Sequence, residues 1–141
     1  MYLDGQDILV VIDDTAQRAR IAHLLADEGF GVTEAPEGLS ALRAIGARRY
    51  ALMIAALRLP GSLDGHSTVR QARLRQPWLK TLYTDEYGHR PERGDPETED
   101  FIPLPCERYE LLGCVFELLQ RTNDGTQSDL GRRVRAERRA S

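Results

Sequence analysis

Apolar residues fall along the chain in two alternating rhythms. Ile8-Leu9-Val10-Val11-Ile12 is an unbroken, mostly β-branched run, which fits a strand buried on both faces, as in a parallel sheet. After Asp13-Asp14-Thr15 the period changes. Ile21, Ala22, Leu24 and Leu25 share one helical face, Arg18 and Arg20 lie off it, and Gly29 is a natural stop. Gly31 to Ala35 is a short strand closed by Pro36-Glu37-Gly38, and Leu39, Leu42 and Ile45 return to helical spacing. Tyr50 to Ala56 is the second strongly apolar run, and a turn-rich stretch, Leu59 to Gly65, follows it. A polar helix from His66 to about Gln76 is stopped by Pro77. Leu79 to Thr84 reads as a strand, and so does Phe101 to Leu104. Between them, Asp85 to Asp100 holds Gly88, Pro91, Gly94 and Pro96, so it is expected to be mostly loop, with at most a stunted helix. Leu111, Leu112, Val115, Phe116, Leu118 and Leu119 mark a last amphipathic helix.

Strand and helix thus alternate five times. Right-handed crossovers then place helices on both faces of a parallel sheet. Proline cannot donate to a ladder, so a strand carrying Pro103 belongs at an edge. The expected fold is α/β, a flavodoxin-like doubly wound sheet of five parallel strands in the order 2-1-3-4-5, whose fifth strand is an edge.

At 141 residues the chain has room for one domain with a real core. The net charge of −3 argues against a nucleic-acid-binding body. The charge is uneven, however. Thr122 to Ser141 holds five arginines against Asp124, Asp129 and Glu137, so residues 1–121 are expected to form the domain and 122–141 a flexible basic tail. Cys106 and Cys114 match no metal or redox spacing and read as small buried hydrophobes in a reducing compartment. His23, His66 and His89 share no ligand spacing. There is no apolar run long enough for a membrane span and no signal-peptide pattern at Met1 to Asp7. A cytoplasmic location is expected.

In such a sheet the functional crevice lies outside the carboxyl ends of the strands. Those ends carry Asp13, Asp14, Ala56, Leu57, Thr84, Leu104 and Pro105. The adjacent acids Asp13 and Asp14 would repel a phosphate, which wants amides and positive charge. They suit either a hard cation or the N-terminus of the following helix, and local sequence weighs the two equally. Asp64, Asp85 and Glu86 are read as solvated acids around the rim.

The run Ile8 to Asp14, the loop Leu57 to Gly65, the strand ending Leu82-Tyr83-Thr84, and Phe101-Ile102-Pro103-Leu104-Pro105 with Leu111-Leu112 together resemble the receiver domain of bacterial two-component signalling. The likeness runs from about Asp7 to Gln120, and the loop has a form one residue longer than usual. It implies that Asp13 and Asp14 are the acidic pair at a magnesium site, completed by the acceptor aspartate and the carbonyl of Arg58. It also implies that Thr84 and Phe101 occupy the switch positions and that Pro105 follows a cis peptide bond.

The same resemblance exposes two departures. Four residues before the loop proline, Pro60, the acceptor position falls on Ala56, and the position of the family lysine falls on Leu104. A methyl group cannot attack a phosphodonor, and a lysine left without its partner would be costly to bury. The expectation is a degenerate, non-enzymatic pseudo-receiver. Magnesium binding at Asp13 and Asp14 should be weak or absent, no other cofactor is expected, and Asp85 is a poor candidate as a substitute acceptor. Such a protein would signal by phosphorylation-independent contact with a histidine kinase or an effector. The surface implied is the side built from the fourth and fifth strands and the last helix, with a homodimer as an alternative use of it. The competing readings are a nucleic-acid-associated protein using the arginine-rich end and a small-molecule sensor on the same fold. The first is opposed by the acidic body and a tail without aromatics, the second by the lack of a nucleophile–base pair or glycine-rich phosphate loop.

Overall fold

A computed structural model describes residues 6–87 and 95–121. Five strands, β1 (Asp7–Val11), β2 (Gly31–Ala35), β3 (Leu52–Ala56), β4 (Lys80–Asp85) and β5 (Glu99–Pro103), form one sheet in the order β2-β1-β3-β4-β5. All neighbouring pairs are parallel. The helices are α1 (Thr15–Asp27), α2 (Gly38–Ala47), α3 (Gly65–Arg75) and α4 (Arg108–Gln120). The expected fold and strand order are therefore observed, with Pro103 in the edge strand β5.

Each strand feeds two cores because its side chains alternate between faces. Ile8, Val10, Ile54, Leu82 and Ile102 pack under α1 and α4 with Ile21, Leu25, Leu111, Val115 and Leu118. Leu9, Val11, Met53, Ala55 and Tyr83 pack under α2 and α3 with Ala41, Ile45, Val69 and Ala72. Both faces being covered explains why the strands read as continuous apolar runs rather than as alternations. Cys106 is buried and Cys114 half-buried against the first core; both are free thiols.

Every helix starts at an acid. The carboxylates of Asp14, Glu37 and Asp64 accept from the backbone N–H of Gln17, Ser40 and Ser67 at 2.9, 2.7 and 2.8 Å. At α4, Glu107 N–H donates to the Glu110 carboxylate at 2.8 Å. These bonds satisfy amides left without partners in the first turn and place negative charge at the positive end of the helix dipole. Among the described residues, the β4–β5 connection contains no helix. Thr98 and Glu99 N–H donate to the Asp95 carbonyl, making a turn before β5. The basic tail expected over 122–141 lies outside the described residues.

Two features at the amino ends of the strands were not legible in the sequence. Lys80, only 7% exposed, donates from Nζ to the carbonyls of Leu118 and Arg121 at the end of α4. Arg121 is itself buried, donates to the Pro96 carbonyl at 2.7 Å, and faces Glu117 at 3.2 Å and Asp100 at 3.6 Å. The end of α4 is thereby fastened to β4 and to the turn before β5. The cation at that end complements the helix dipole. Burial, reinforced by the Arg121 charge, holds the Lys80 amine below its ordinary value of 10.5.

Lys80→Met keeps the apolar stem but removes the donor shared by the Leu118 and Arg121 carbonyls, the former keeping the Arg121 N–H, and should lower unfolding free energy by about 1–3 kcal/mol in urea. The linkage sign is also testable. With its folded pKa depressed, Lys80 loses its proton in the native state before the unfolded chain does. Wild-type stability should therefore gain a rising contribution as pH climbs from that lowered pKa towards 10.5. In Lys80→Met that contribution should be missing.

Candidate functional site

The carboxyl ends of β1, β3 and β4 open on a crevice of about 330 Å³ lined by Ile12, Asp13, Asp14, Ala56, Arg58, Thr84, Asp85, Glu86, Tyr87 and Leu104. Of the positions singled out from the sequence, Asp13, Asp14, Ala56, Thr84, Asp85, Glu86 and Leu104 meet here, while Leu57, Asp64, Phe101 and Pro105 are not in the lining. Parallel pairing fixes their relation: Ala56 is in register with Thr84, and Asp85 with Pro103. At its far side, Gly65 N–H donates to the Leu57 carbonyl at 3.0 Å. A Cβ on Gly65 would collide with the backbone of Ala56 and Leu57, so glycine there lets α3 close onto the end of β3.

The acidic pair divides its work. Asp14 is the N-cap of α1, with its carboxylate on Gln17 N–H. Asp13 is exposed at the crevice, and its carbonyl and that of Ile12 accept from the Arg18 guanidinium at 3.2 and 2.8 Å. Of the two roles weighed from the sequence, the cap is made by Asp14, and Asp13 lies in the crevice.

Thr84 is fully buried, and its hydroxyl has no hydrogen-bond partner among the described residues. Leu104 is 5% exposed, lining the crevice while packing into the α1/α4 core. The Leu104–Pro105 peptide is cis. Phe101 is buried in the other core, beneath α2 and α3, and does not reach the crevice. Asp64 belongs to the cap of α3 and does not line the crevice.

Asp85 corrects the expectation of a solvated rim acid. β4 runs one residue further than the sequence pattern gives, and the Asp85 carbonyl accepts from Leu104 N–H at 3.1 Å, drawing the residue into the sheet. Its side chain is 3% exposed and lies 3.7 Å from the Arg58 guanidinium, with Tyr87 N–H donating to it at 3.2 Å. Arg58 in turn lies 4.9 Å over the Tyr87 ring. Arg58 and Tyr87 are the residues sequence reading missed as side chains. An arginine in a loop just after the acceptor position, two residues from Ala56, was the available signal.

The donor set does not fit a receiver's magnesium site. Position 56 has no oxygen to offer, and one Asp14 carboxylate oxygen is committed to the helix cap. Among the described residues no three acidic, histidine or cysteine side chains converge on one point. Among the described residues, the cation paired with the buried Asp85 is the Arg58 guanidinium.

The fold agrees with comparisons to known proteins. The response regulator receiver domain model matches residues 8–113. The chain belongs to that family. The response regulator MprA of Mycobacterium avium is 33% identical over 118 residues, covering 82% of this chain and 51% of the relative. The chain therefore spans about half the length of the curated relatives it matches. Among solved structures, the receiver domain of NtrX from Brucella abortus aligns with a TM-score of 0.71 at 29% identity, covering 82% of this chain and 100% of that one. The receiver domain of the hybrid histidine kinase CckA aligns at 0.70 and 28%, covering 81% and 99%.

Arg58→Ala leaves the buried Asp85 carboxylate without its guanidinium. Arg58 is 64% exposed, so solvent screens the pair and the expected loss is modest, about 0.5–1 kcal/mol by urea denaturation. Because Asp85→Asn removes the charge that Arg58 compensates, adding Arg58→Ala to that variant should cost less than it costs alone, a coupling read from a double-mutant cycle.

Proposed function

We propose that this receiver domain accepts no phosphoryl group and acts in two-component signalling as a non-enzymatic adaptor, through protein contact alone. The observation that carries the reading is the methyl group of Ala56, in register with Thr84 at the end of β3 and lining the crevice. Phosphoryl transfer to a protein requires an oxygen nucleophile at that place, and charge stabilisation around the transferring group. Here the nucleophile is replaced by carbon, and the second position that could supply a cation is the apolar, buried Leu104.

The change of both residues has a common physical origin. An ammonium at position 104 would lack the acceptor carboxylate that Ala56 replaces while being partly desolvated, a cost that leucine avoids. Remaining negative charge in the crevice comes from Asp13, Asp14, Glu86 and the Arg58-paired Asp85. That arrangement repels a phosphodonor rather than cradling one.

The partners that suit such an adaptor are a histidine kinase or a signalling effector, met on the side formed by β4, β5 and α4. Exposed Tyr87 and Tyr109 support this choice, as large aromatic surfaces of the kind enriched at protein interfaces. A homodimer would use the same side. No cofactor is needed for this activity.

Incubation with acetyl phosphate should give no phosphoryl adduct by intact mass, and beryllofluoride should leave the amide NMR spectrum unchanged. Stoichiometric incorporation on any aspartate overturns the proposal. Magnesium provides a separate check. The wild-type amides of Asp13 and Asp14 should show no saturable shift at millimolar magnesium, whereas Ala56→Asp, by adding a third carboxylate, should produce one.

A further inference from the structure

At the amino ends of the strands, opposite the crevice, an open concavity of about 400 Å³ lies between the ends of α2 and α3, lined by Arg48, Arg49, Arg75, Gln76 and Trp78 among others. We propose that it is an anion site for a doubly charged phosphate group, carried on a small phosphate ester or a phospholipid headgroup. The inference goes beyond the adaptor reading and does not depend on it.

The chain concentrates positive charge on this side. Between Glu37 and Asp85 it holds seven arginines and Lys80 against one acid, Asp64, in a protein of net charge −3. Two of those arginines are taken elsewhere, Arg73 by Glu99 at 2.7 Å and Arg58 by Asp85 at the crevice. Three others meet at the concavity. Arg48 is exposed and lies 3.4 Å from Asp7, while Arg49 and Arg75 make no hydrogen bond or ion pair with the described residues. No acid among the described residues lines the concavity. Arg43 adds an exposed charge on α2, one turn before Gly46 and Ala47 and on their face.

Helix ends often recruit arginines to their free carbonyls, but here those carbonyls are served by other groups. Arg48 N–H donates to the Ala44 carbonyl at 3.1 Å. Gln76, 5% exposed, donates from Nε2 to the carbonyls of Ile45 and Arg48 at 3.0 and 2.8 Å, and its Oε1 accepts from Tyr50 N–H at 2.9 Å. Trp78 Nε1 donates to the Tyr50 carbonyl at 2.9 Å. The turn that carries Arg48 and Arg49 is thereby pinned from below. The Trp78 ring then holds the Arg49 guanidinium 3.8 Å from its centroid, a cation–π contact that fixes the charge in place. A Cβ on Gly46 would lie 3.4 Å from Arg75 Nη1, so glycine gives that guanidinium room over the end of α2. The guanidinium groups are positioned by the fold without being consumed by it, which lowers the ordering cost of binding an anion.

The surplus of charge selects the ligand. Three guanidinium groups with only Asp7 beside them leave room for about two negative charges. A carboxylate brings one, whereas a phosphate monoester brings nearly two and offers three acceptor oxygens at one centre, which suits guanidinium forks arriving from different directions. A long polyanion fits less well, because residues 1–37 hold eight acids against Arg18 and Arg20.

Trp78 is the single tryptophan of the chain, so its fluorescence reports on the site. In a phosphate-free buffer at constant ionic strength, inorganic phosphate and a sugar phosphate should shift that fluorescence and the amides of Gly46, Arg49 and Trp78 saturably. Acetate should not. Arg49→Ala and Arg75→Ala change exposed side chains, so both variants should fold, and each should weaken phosphate binding roughly tenfold by amide shifts. Arg70→Ala, on the same helix but outside the concavity, should bind as the wild type does. Phosphatidylcholine vesicles with and without phosphatidic acid form the second arm: tighter binding there assigns the site to a headgroup, tighter binding of the sugar phosphate to a soluble ester. No saturable response to any phosphate, an equal response to acetate, an equal loss in Arg70→Ala, or tighter binding of an oligoglutamate peptide overturns the proposal. Covalent phosphorylation is read by intact mass, so this conclusion and the adaptor reading can fail separately.

Discussion

The structure depends on burying a parallel sheet on both faces. Such a sheet tolerates polar side chains only where its strands stop, since a polar group within it has no solvent on either side. β1 shows this in miniature: Ile8 to Val11 are fully buried, and the first exposed acids are Asp13 and Asp14, just past the strand. β3 and β4 end on the same level, so their terminal residues are forced into one crevice. The functional character of the protein is therefore written in a few strand-end positions, whatever the rest of the chain contains.

At those positions the balance of charge has moved. The crevice presents Ala56 and Leu104 beside the acidic pair, and its buried carboxylate, Asp85, is matched by Arg58. Part of the crevice's charge is thus settled within the chain, by the Arg58–Asp85 pair. Opposite, at the amino ends, Lys80 and Arg121 fix the end of α4 in place. The last helix is thus held by packing along its length and by carbonyl contacts at its end.

Much of this was legible in the chain. The β-branched runs, the helical spacing of Leu111 to Leu119 and the edge-demanding Pro103 specified the elements and strand order. Counting back from Pro60 located Ala56. The reading failed at Asp85, where the strand gains a residue because the Asp85 carbonyl is taken by Leu104 N–H. It also passed over Arg58 and Lys80, since long cationic side chains in or near strands give no periodic signal and their partners lie far along the chain.

By itself the sequence determined which segments are strands and helices, how they alternate, and that alanine stands at position 56, because periodicity and identity are local properties. Tertiary structure alone decided that Asp85 is buried against Arg58 and that Lys80 reaches the carbonyls of α4. Those outcomes come from residues brought together by sheet register and helix packing, whose geometry no single segment encodes.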